Sequence, residues 1–255
     1  MRTFTAKNIV ITGAGSGIGR ALAIELARLN AFLILSDNDS KSLLETQRIL
    51  KDMQIDSACY ELDVSDYQAM NNFATSVHRQ YGDIDMLINN AGVTLMDQFE
   101  DGNLADFHWV MNINFWGTVN GVKAFLPNLL RRKDACIVNL SSIFGIMGMP
   151  GQAAYNSSKA GVRLLSKSVA LYCAKKGYDV RCNTVHPAFI DTPILDPIKQ
   201  AFGNKEAIQK LSRQIPMNKI GDTDDVAYAV IYLASDESKF MTGSEIILDG
   251  GLSAM

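Results

Sequence analysis

Residues 8–19 read Asn8-Ile-Val-Ile-Thr-Gly-Ala-Gly-Ser-Gly-Ile-Gly19, a β-branched run that leads directly into a glycine-rich turn. The run predicts a strand from Asn8 to Thr12, and the apolar spacing beyond the turn predicts a helix from Ala21 to Asn30. Glycines at such a turn let the backbone approach a pyrophosphate, and the helix N-terminus offers free N–H groups. A glycine turn without a ligand is the alternative, but its place between strand and helix favours a dinucleotide site. The residues of this turn expected at the cofactor are Gly13, Ser16, Gly17, Ile18 and Gly19.

The same alternation of short apolar runs and longer helical patterns continues along the chain. Several runs are apolar on both faces, as strands of a parallel sheet covered on both sides must be. The sequence therefore predicts an α/β fold of Rossmann type, with a doubly wound, mostly parallel seven-stranded sheet and helices on both faces. Ser65 and Gln68 fit an S-x-x-Q capping box at the start of the third helix. Further strands are expected at 31–35, 57–62, 84–89, 136–140, 180–185 and 245–248, and helices at 43–53, 104–130, 154–176 and 223–234.

Length and composition favour one globular domain spanning residues 1–255. Hydrophobic residues make up 47% and charged residues 20%, which excludes a disordered chain. The irregular, proline-rich stretch at 190–216, with a short helix expected from Asp196-Pro197, predicts a mobile substrate lid rather than a second domain.

Charge and motif content exclude several classes of partner. The formal net charge of −3, with no run of five like charges, argues against nucleic acid. No signal-peptide pattern or 18-residue apolar stretch is found, so we expect a cytoplasmic protein without a membrane partner. The four cysteines form no C-x-x-C pair and the three histidines show no metal spacing, so we expect free thiols and no metal.

Acidic and amide residues at the predicted strand ends extend the dinucleotide site. Asp37 ends the second strand, where a carboxylate accepts hydrogen bonds from both ribose hydroxyls and repels a 2′-phosphate. No Arg or Lys stands at 14–16 or at 38 to bind that phosphate, which favours NAD (NADH/NAD⁺) over NADP. An Asp37 that merely starts a turn is the alternative. Other residues expected at the cofactor are Asp63 and Val64 at the adenine, and Asn90, Ala91 and Gly92 after the fourth strand.

A tyrosine and a lysine four residues apart indicate the chemistry. Tyr155 and Lys159 lie on one face of a predicted helix. The ammonium, together with the positive nicotinamide of NAD⁺, should lower the phenol pKa and make Tyr155 a general acid or base. Ser142, just past a strand, can orient a substrate oxygen. Asn114, a polar residue within an apolar helical stretch, is expected to kink its helix and help hold a water near Lys159. Each pattern alone is common, and their joint occurrence behind a dinucleotide turn carries the prediction.

The glycine pattern, Asn89-Asn90-Ala91-Gly92, Asn114, Ser142 and Tyr155-x-x-x-Lys159 together resemble the classical short-chain dehydrogenase/reductase family. The resemblance runs from about residue 5 to the C-terminus. It implies that Asn114, Ser142, Tyr155 and Lys159 form a catalytic tetrad, and that Tyr155 and Lys159 also contact the cofactor. The loop from Pro187 to Thr192 is implied at the nicotinamide carboxamide, through Pro187, Ile190 and Thr192.

The resemblance has one departure and one implication for assembly. The family usually has Pro-Gly where this chain has Pro187-Ala188, so the path of that loop is expected to differ slightly. A homotetramer, or a homodimer, is implied, with contacts from 104–130, 154–176 and 245–251.

By position, the substrate pocket should lie over the nicotinamide. Its wall is mostly apolar, which favours a hydrophobic, cyclic or steroid-like secondary alcohol or ketone. An NADPH-linked reductase of 3-oxoacyl thioesters on acyl carrier protein is the main alternative, against which Asp37 argues. A non-catalytic dinucleotide sensor is a third, against which the Tyr155–Lys159 pair argues. The residues expected in this wall are Thr94, Leu95, Phe144, Met149, Gln152, Phe189, Ile194 and Leu195.

Overall fold

The structure, a computed structural model, describes residues 4–96 and 98–255. Residues 1–3 and 97 fall within the predicted domain but lie outside the described residues. The strands are β1 (Asn8–Thr12), β2 (Phe32–Asp37), β3 (Ser57–Glu61), β4 (Met86–Asn89), β5 (Ala135–Leu140), β6 (Val180–Pro187) and β7 (Glu245–Leu248). The helices are α1 (Gly17–Arg28), α2 (Ser40–Asp52), α3 (Tyr67–Tyr81), α4 (Leu104–Met111), α5 (Gly117–Leu129), α6 (Ala153–Lys176), α7 (Asp196–Phe202), α8 (Asn204–Ser212) and α9 (Thr223–Ala234).

The seven strands of the described chain form one sheet in the order β3-β2-β1-β4-β5-β6-β7, and every pair is parallel. The chain winds outward from β1 to β3, returns to pair β4 with the other side of β1, and winds outward again. The predicted doubly wound fold is confirmed. Such a sheet has a switch point, here between β1 and β4, and ligands bind there at the carboxyl ends of the strands.

Apolar residues cover both faces of the sheet, as the runs of the sequence predict. Ile9 and Ile11 belong to a core shared with α1, α2 and α9, whereas Val10 belongs to one shared with α3, α5 and α6. Because successive side chains of a strand point to opposite faces, one strand feeds both cores. None of the helices in the described ranges is long and apolar enough to cross a bilayer.

The starts of α3 and α1 differ from the sequence predictions for reasons that the structure shows. The Asp66 side chain accepts from the N–H groups of Gln68 and Ala69, so the predicted capping box at Ser65 is wrong. Ser65 instead donates to the Asp63 carboxylate. α1 begins at Gly17, four residues earlier than expected, because the glycine turn itself forms the helix start.

The single helix predicted over 104–130 is divided by a π-helical segment at Asn112–Trp116. A π segment widens one helical turn and turns a side chain out of register, so the helix is irregular at Asn114, where the sequence predicts a kink. The predicted lid region contains α7 and α8, separated by Gly203 and packed over a small apolar cluster that includes Phe189, Leu195 and Leu211.

Candidate active site

A cavity of about 710 Å³ opens at the carboxyl ends of the strands, beside the switch point. It runs from the glycine turn and the end of β2 to the start of α6 and the region of α7. All the site residues expected from sequence line this cavity except Gly19 and Asn114, which lie behind its wall. The described residues therefore bring the expected dinucleotide and catalytic groups into one continuous space.

The glycine turn is built for close backbone contact. Gly13 has a φ of +65°, and a Cβ there would lie 2.7 Å from Ala91 Cα. A Cβ on Gly19 would lie 2.0 Å from the Gly13 carbonyl oxygen, so Gly19 supports the turn from behind. The Ser16 side chain does not cap α1, which leaves the first N–H groups of the helix available to an anion.

The β1 and β4 ends of the switch point are joined by hydrogen bonds. The Thr12 hydroxyl accepts from the backbone N–H groups of Asn90 and Ala91. The Asn90 amide donates to the carbonyl oxygens of Thr12 and Gly13, each at 3.0 Å. Asn90 thus lines the cavity while its side-chain amide fixes the glycine turn.

The end of the cavity near β2 is acidic. Asp37 Oδ2 accepts from the Gly15 N–H at 2.8 Å, and its Oδ1 accepts from the Asp39 N–H at 3.0 Å. Asp37, Asp39 and Asp63 all line the cavity, whereas Lys159, at the far end, is the one basic side chain among the described lining residues. This end attracts hydroxyl donors and disfavours a phosphate.

The catalytic candidates meet at the start of α6. Lys159 is buried, and its Nζ lies 5.7 Å from the centre of the Tyr155 ring and donates to the Leu140 carbonyl at 2.9 Å. Ser142, which follows β5, shares a hydrogen bond with the Tyr155 hydroxyl. Its own Oγ lies 3.3 Å from the Pro187 carbonyl oxygen. A phenol, a hydroxyl and an ammonium therefore share one corner of the cavity.

Burial governs the pKa of Tyr155 in the protein without cofactor. It raises that pKa above the ordinary value and outweighs the Ser142 hydrogen bond, which lowers it. The lowering expected from the Lys159 ammonium together with the positive nicotinamide of NAD⁺ concerns the cofactor-bound protein and stays a prediction. Burial also lowers the pKa of Lys159 to about 8, so the amine remains mostly protonated at neutral pH.

Asn114 is fully buried and holds the segment after β4. Its Oδ1 accepts from the Val93 N–H at 2.8 Å, and its Nδ2 donates to the Val93 carbonyl at 2.9 Å and to Ser158 Oγ at 3.0 Å. The side chain thus links the π segment to the cavity wall and to α6, rather than facing the cavity itself.

The loop after β6 reaches the cavity without strain at Ala188. Ala188 is not among the described non-glycine residues with positive φ, and its N–H donates to the Leu248 carbonyl. Alanine therefore fits this loop path, and a path that differs from a Pro-Gly loop stays a prediction. The cofactor candidates Pro187, Ile190 and Thr192 follow along the same wall.

The substrate half of the cavity is mainly apolar and includes every residue expected there. Sequence reasoning missed Trp109 and Ile113, which stand four residues apart on one face of the broken helix. That spacing is the available signal, but the family resemblance assigns the whole stretch to subunit contacts. Other lining residues that were not expected are Val93, Met96, Pro193, Pro197 and Ile198.

Comparisons with known proteins agree over nearly the whole chain. The sequence model of a family described as enoyl-(acyl carrier protein) reductase matches residues 13–253. An NADP-dependent (R)-specific alcohol dehydrogenase of Lentilactobacillus kefiri is 34% identical, with 97% of each chain covered. A 3-oxoacyl-(acyl-carrier-protein) reductase of Thermotoga maritima is 36% identical over 96% of this chain and 97% of its own.

Two solved structures share the complete architecture. A levodione reductase has a TM-score of 0.93 and 30% identity, covering 98% of this chain and 99% of its own. The aldohexose dehydrogenase of Thermoplasma acidophilum has a TM-score of 0.88 and 30% identity, covering 100% of this chain and 95% of its own. The likeness therefore includes the catalytic and substrate halves as well as the nucleotide-binding half.

Proposed function

This chain belongs to the short-chain dehydrogenase/reductase family and is an oxidoreductase acting on CH–OH groups, and on that premise we propose that it interconverts a hydrophobic secondary alcohol and its ketone with NAD(H). One observation carries the proposal. Tyr155, Ser142 and Lys159 lie in one corner of a cavity whose opposite end holds the glycine turn and Asp37. Proton transfer at that corner and a dinucleotide along the wall suit this reaction.

The described residues fit a nicotinamide dinucleotide. The uncapped N-terminus of α1 and the close backbone of Gly13 suit a pyrophosphate. Asp37 suits the adenosine ribose, and its charge, with that of Asp39, favours NAD over NADP. The Lentilactobacillus relative is NADP-dependent, so this preference is proposed from the chain's own carboxylates. The remaining proposed cofactor contacts are Ser16, Gly17, Ile18, Gly19, Asp63, Val64, Asn90, Ala91, Gly92, Tyr155, Lys159, Pro187, Ile190 and Thr192.

When bound, the nicotinamide supplies or accepts the hydride and, in its oxidised form, adds a positive charge. For ketone reduction, Tyr155 donates its phenolic proton to the substrate oxygen, and its raised pKa keeps that proton in place at neutral pH. For alcohol oxidation, the same oxygen accepts the proton. Ser142 orients the reacting oxygen, since its hydroxyl already shares a hydrogen bond with Tyr155.

Lys159 and Asn114 act around this proton transfer. The Lys159 ammonium, held by the Leu140 carbonyl, places a positive charge 5.7 Å from the phenol ring and favours the phenolate formed in turnover. Asn114 holds Val93 and Ser158, and so positions the wall beside Lys159. We assign Asn114 a supporting role in the tetrad, because its side chain bonds to the cavity wall from behind and does not itself line the cavity.

The pocket wall supports a hydrophobic small-molecule substrate. Phe144, Met149, Phe189 and Leu195 line the substrate half, and the Phe144 and Phe189 rings lie 5.6 Å apart. Such a wall suits a cyclic or aliphatic ketone better than a sugar. The two similar solved structures, a levodione reductase and an aldohexose dehydrogenase, are named for a less polar and a more polar substrate, respectively.

Turnover of a ketone panel with NADH and with NADPH tests the proposal. We expect reduction with NADH preferred, and we expect Tyr155→Phe to lower kcat by about 10²- to 10⁴-fold while NADH binding persists. Tyr172→Phe is the matched control, because Tyr172 is an exposed tyrosine of the same helix. Full activity of Tyr155→Phe would remove the proposed proton donor.

A 3-oxoacyl-thioester reductase is a second candidate function, favoured by the 36% identity to the Thermotoga enzyme over nearly the whole chain. Its substrate would be a 3-oxoacyl chain on acyl carrier protein, with NADPH. Acetoacetyl thioesters in the same panel distinguish the two functions. A kcat/KM for the thioester with NADPH that exceeds every ketone with NADH would establish the alternative.

We also infer that residues 190–216 form a lid over the substrate half. α7 has no buried residue, and Lys199 of α7 binds Asp191 at 2.6 Å beside the loop that lines the cavity. Limited trypsin digestion tests this closure. Saturating NADH with a product alcohol should slow cleavage after Lys205 and Lys210, but not after the distant Lys133, and equal rates at all three would exclude it.

A further inference from the structure

Two polar side chains face each other in the otherwise apolar substrate half of the cavity. Thr94 follows β4, and Gln152 immediately precedes α6. Both line the cavity, and Gln152 Nε2 donates to Thr94 Oγ1 at 3.2 Å. The residues around the pair, including Met149, Phe144 and Leu195, offer no side-chain hydrogen bonds.

The pair has hydrogen-bonding capacity left over. Gln152 Oε1 is buried and has no partner among the described residues. Thr94 Oγ1 accepts from Gln152, and its own proton has no acceptor in the part of the chain that the structure describes. An unpaired buried acceptor is costly. This pair therefore has a free donor and a free acceptor beside one space.

We propose, building on the alcohol–ketone function above, that the substrate carries a second oxygen substituent, a hydroxyl, which binds between Thr94 and Gln152. A hydroxyl is the common group that both accepts and donates a hydrogen bond. It accepts from the Thr94 hydroxyl and donates to Gln152 Oε1, which satisfies both groups at once. The substrate class is therefore a hydroxyketone or the corresponding diol, rather than an unsubstituted ketone.

The position of Gln152 limits how far that hydroxyl lies from the reacting carbon. Gln152 is the N-cap residue of α6 and Tyr155 is the third residue of that helix, so the two side chains begin within one turn of each other. A hydroxyl held there sits a few bonds from the carbonyl that receives the Tyr155 proton. Because the rest of the wall is apolar, one such hydroxyl is accommodated and a polyhydroxylated sugar is not.

Selectivity between matched ketones tests this assignment. Cyclohexanone and its 2-, 3- and 4-hydroxy derivatives differ only in the second oxygen, and we expect at least one derivative to exceed cyclohexanone in kcat/KM by about 10-fold or more. Gln152→Met and Thr94→Val remove the hydrogen-bonding groups with little change of shape. Each should lower that ratio by about 3- to 10-fold, the effect of one or two hydrogen bonds.

The control variant and a binding readout make the result decisive. Met149→Leu alters the apolar wall and should change both substrates together, leaving the ratio within about twofold. Gln152 does not cap α6 through its side chain, so Gln152→Met is compatible with the helix start. Calorimetric binding of cyclohexane-1,2-diol and cyclohexanol to the NADH complex gives the same comparison without turnover.

The outcomes separate this inference from the proposed function. Absence of turnover with every ketone would overturn the proposed function. A binding preference for the diol that Gln152→Met abolishes would still support the hydroxyl site between Thr94 and Gln152, here called the anchor. Equal kcat/KM for the hydroxylated and plain ketones, or a preference that both variants keep, would overturn the anchor and leave the dehydrogenase in place.

Discussion

Asp37 holds the glycine turn and also lines the acidic end of the cavity. Its Oδ2 accepts from the Gly15 N–H, and a Cβ on Gly15 would lie only 2.9 Å from that oxygen. The carboxylate and the glycine are therefore matched to each other. A substitution at Asp37 changes local geometry and charge together, unless the replacement keeps an acceptor oxygen in the same place.

Asp37→Asn separates charge from shape and should shift the cofactor preference. One oxygen remains for the Gly15 N–H, while the repulsion of a 2′-phosphate is removed. We expect NAD⁺ affinity to fall and the NAD⁺/NADP⁺ affinity ratio to drop by roughly 10-fold, the size of a charge-assisted hydrogen bond. Titration of intrinsic fluorescence gives both Kd values, with Asp56→Asn, an exposed carboxylate outside the cavity, as control. A wild type that already prefers NADP⁺ contradicts the assignment.

The buried His186 ring joins the backbone of Ser142, the proposed catalytic serine, to Thr184 of β6. Its Nδ1 lies 3.1 Å from the Ser142 carbonyl oxygen, which only accepts, so Nδ1 carries the proton. Its Nε2 lies 2.8 Å from Thr184 Oγ1 and accepts from that hydroxyl. Burial lowers the pKa of His186 below 6.5, outweighing the Ser142 hydrogen bond and the Glu245 charge that raise it. The positive charges of Arg163 and Lys159 lower it further.

This shift predicts a loss of stability in mild acid. Because the pKa of His186 is lower in the folded protein, the unfolded chain binds the proton first as pH falls below 6.5. The free energy of unfolding should therefore decrease below that pH, by at most about 1.4 kcal/mol per pH unit. Urea unfolding between about pH 8 and pH 5 measures it, above the range in which Glu245, whose pKa is lowered from 4.5, loses its contribution. His186→Asn keeps a donor for the Ser142 carbonyl and should flatten the slope; an unchanged slope would assign it to other groups.

At the scale of elements, hydrophobic periodicity predicted the strand bounds that local sequence determines. It missed the helix break that a contact between distant residues determines. β1 and β7 lie at their expected bounds, because each is an isolated β-branched run. The helix expected over 104–130 is broken at Asn112–Trp116, where Asn114 bonds to Val93, 21 residues earlier. The spacing of apolar residues cannot predict a contact with a distant loop. The polar Asn114 itself did indicate an irregularity in the helix.

Asn114 should therefore matter to stability more than a neighbouring asparagine. Asn114→Ala leaves the N–H and carbonyl of Val93 without partners, which costs about 2–4 kcal/mol for the two buried groups. A chain of this size then loses at least about 4 °C in Tm. Asn112→Ala is the matched control, since Asn112 is an exposed asparagine of the same π segment and should change stability by no more than about 0.5 kcal/mol. Scanning calorimetry compares them, and similar losses in the two variants would show that the Val93 contacts of Asn114 add no specific stability.

At the scale of the whole molecule, the sequence alone is enough to predict the sheet and the residues that lie at the carboxyl ends of its strands. Strand positions and helix crossovers determine that edge, so the order of the elements alone places Gly13, Asp37 and Tyr155 together. The substrate half is foreseeable only as an apolar wall. The pairing of Thr94 with Gln152 and the entry of Trp109 depend on how two loops and a broken helix pack, which no single segment encodes.

Several large apolar side chains are exposed on the surface of the described molecule. α6 buries Val162, Ser166 and Ala170 on one face, yet Leu164 and Leu171 on the other are 65% and 70% exposed. Exposed apolar groups in such a row are typical of an interface. Further exposed apolar residues on the expected contact segments are Leu104, Trp116, Tyr172 and Ile247.

We therefore expect a homotetramer in sedimentation velocity, assembled through the outer face of α6. Leu164→Glu combined with Leu171→Glu puts two charges where two copies of that face meet, and burying unpaired charges is costly enough to separate the subunits. Leu44→Glu, at a leucine of α2 that is 58% exposed but outside the expected contact segments, should leave assembly intact. Because α6 also carries Tyr155 and Lys159, dissociation should lower kcat as well. A monomeric wild type, or dissociation by Leu44→Glu alone, would place the interface elsewhere.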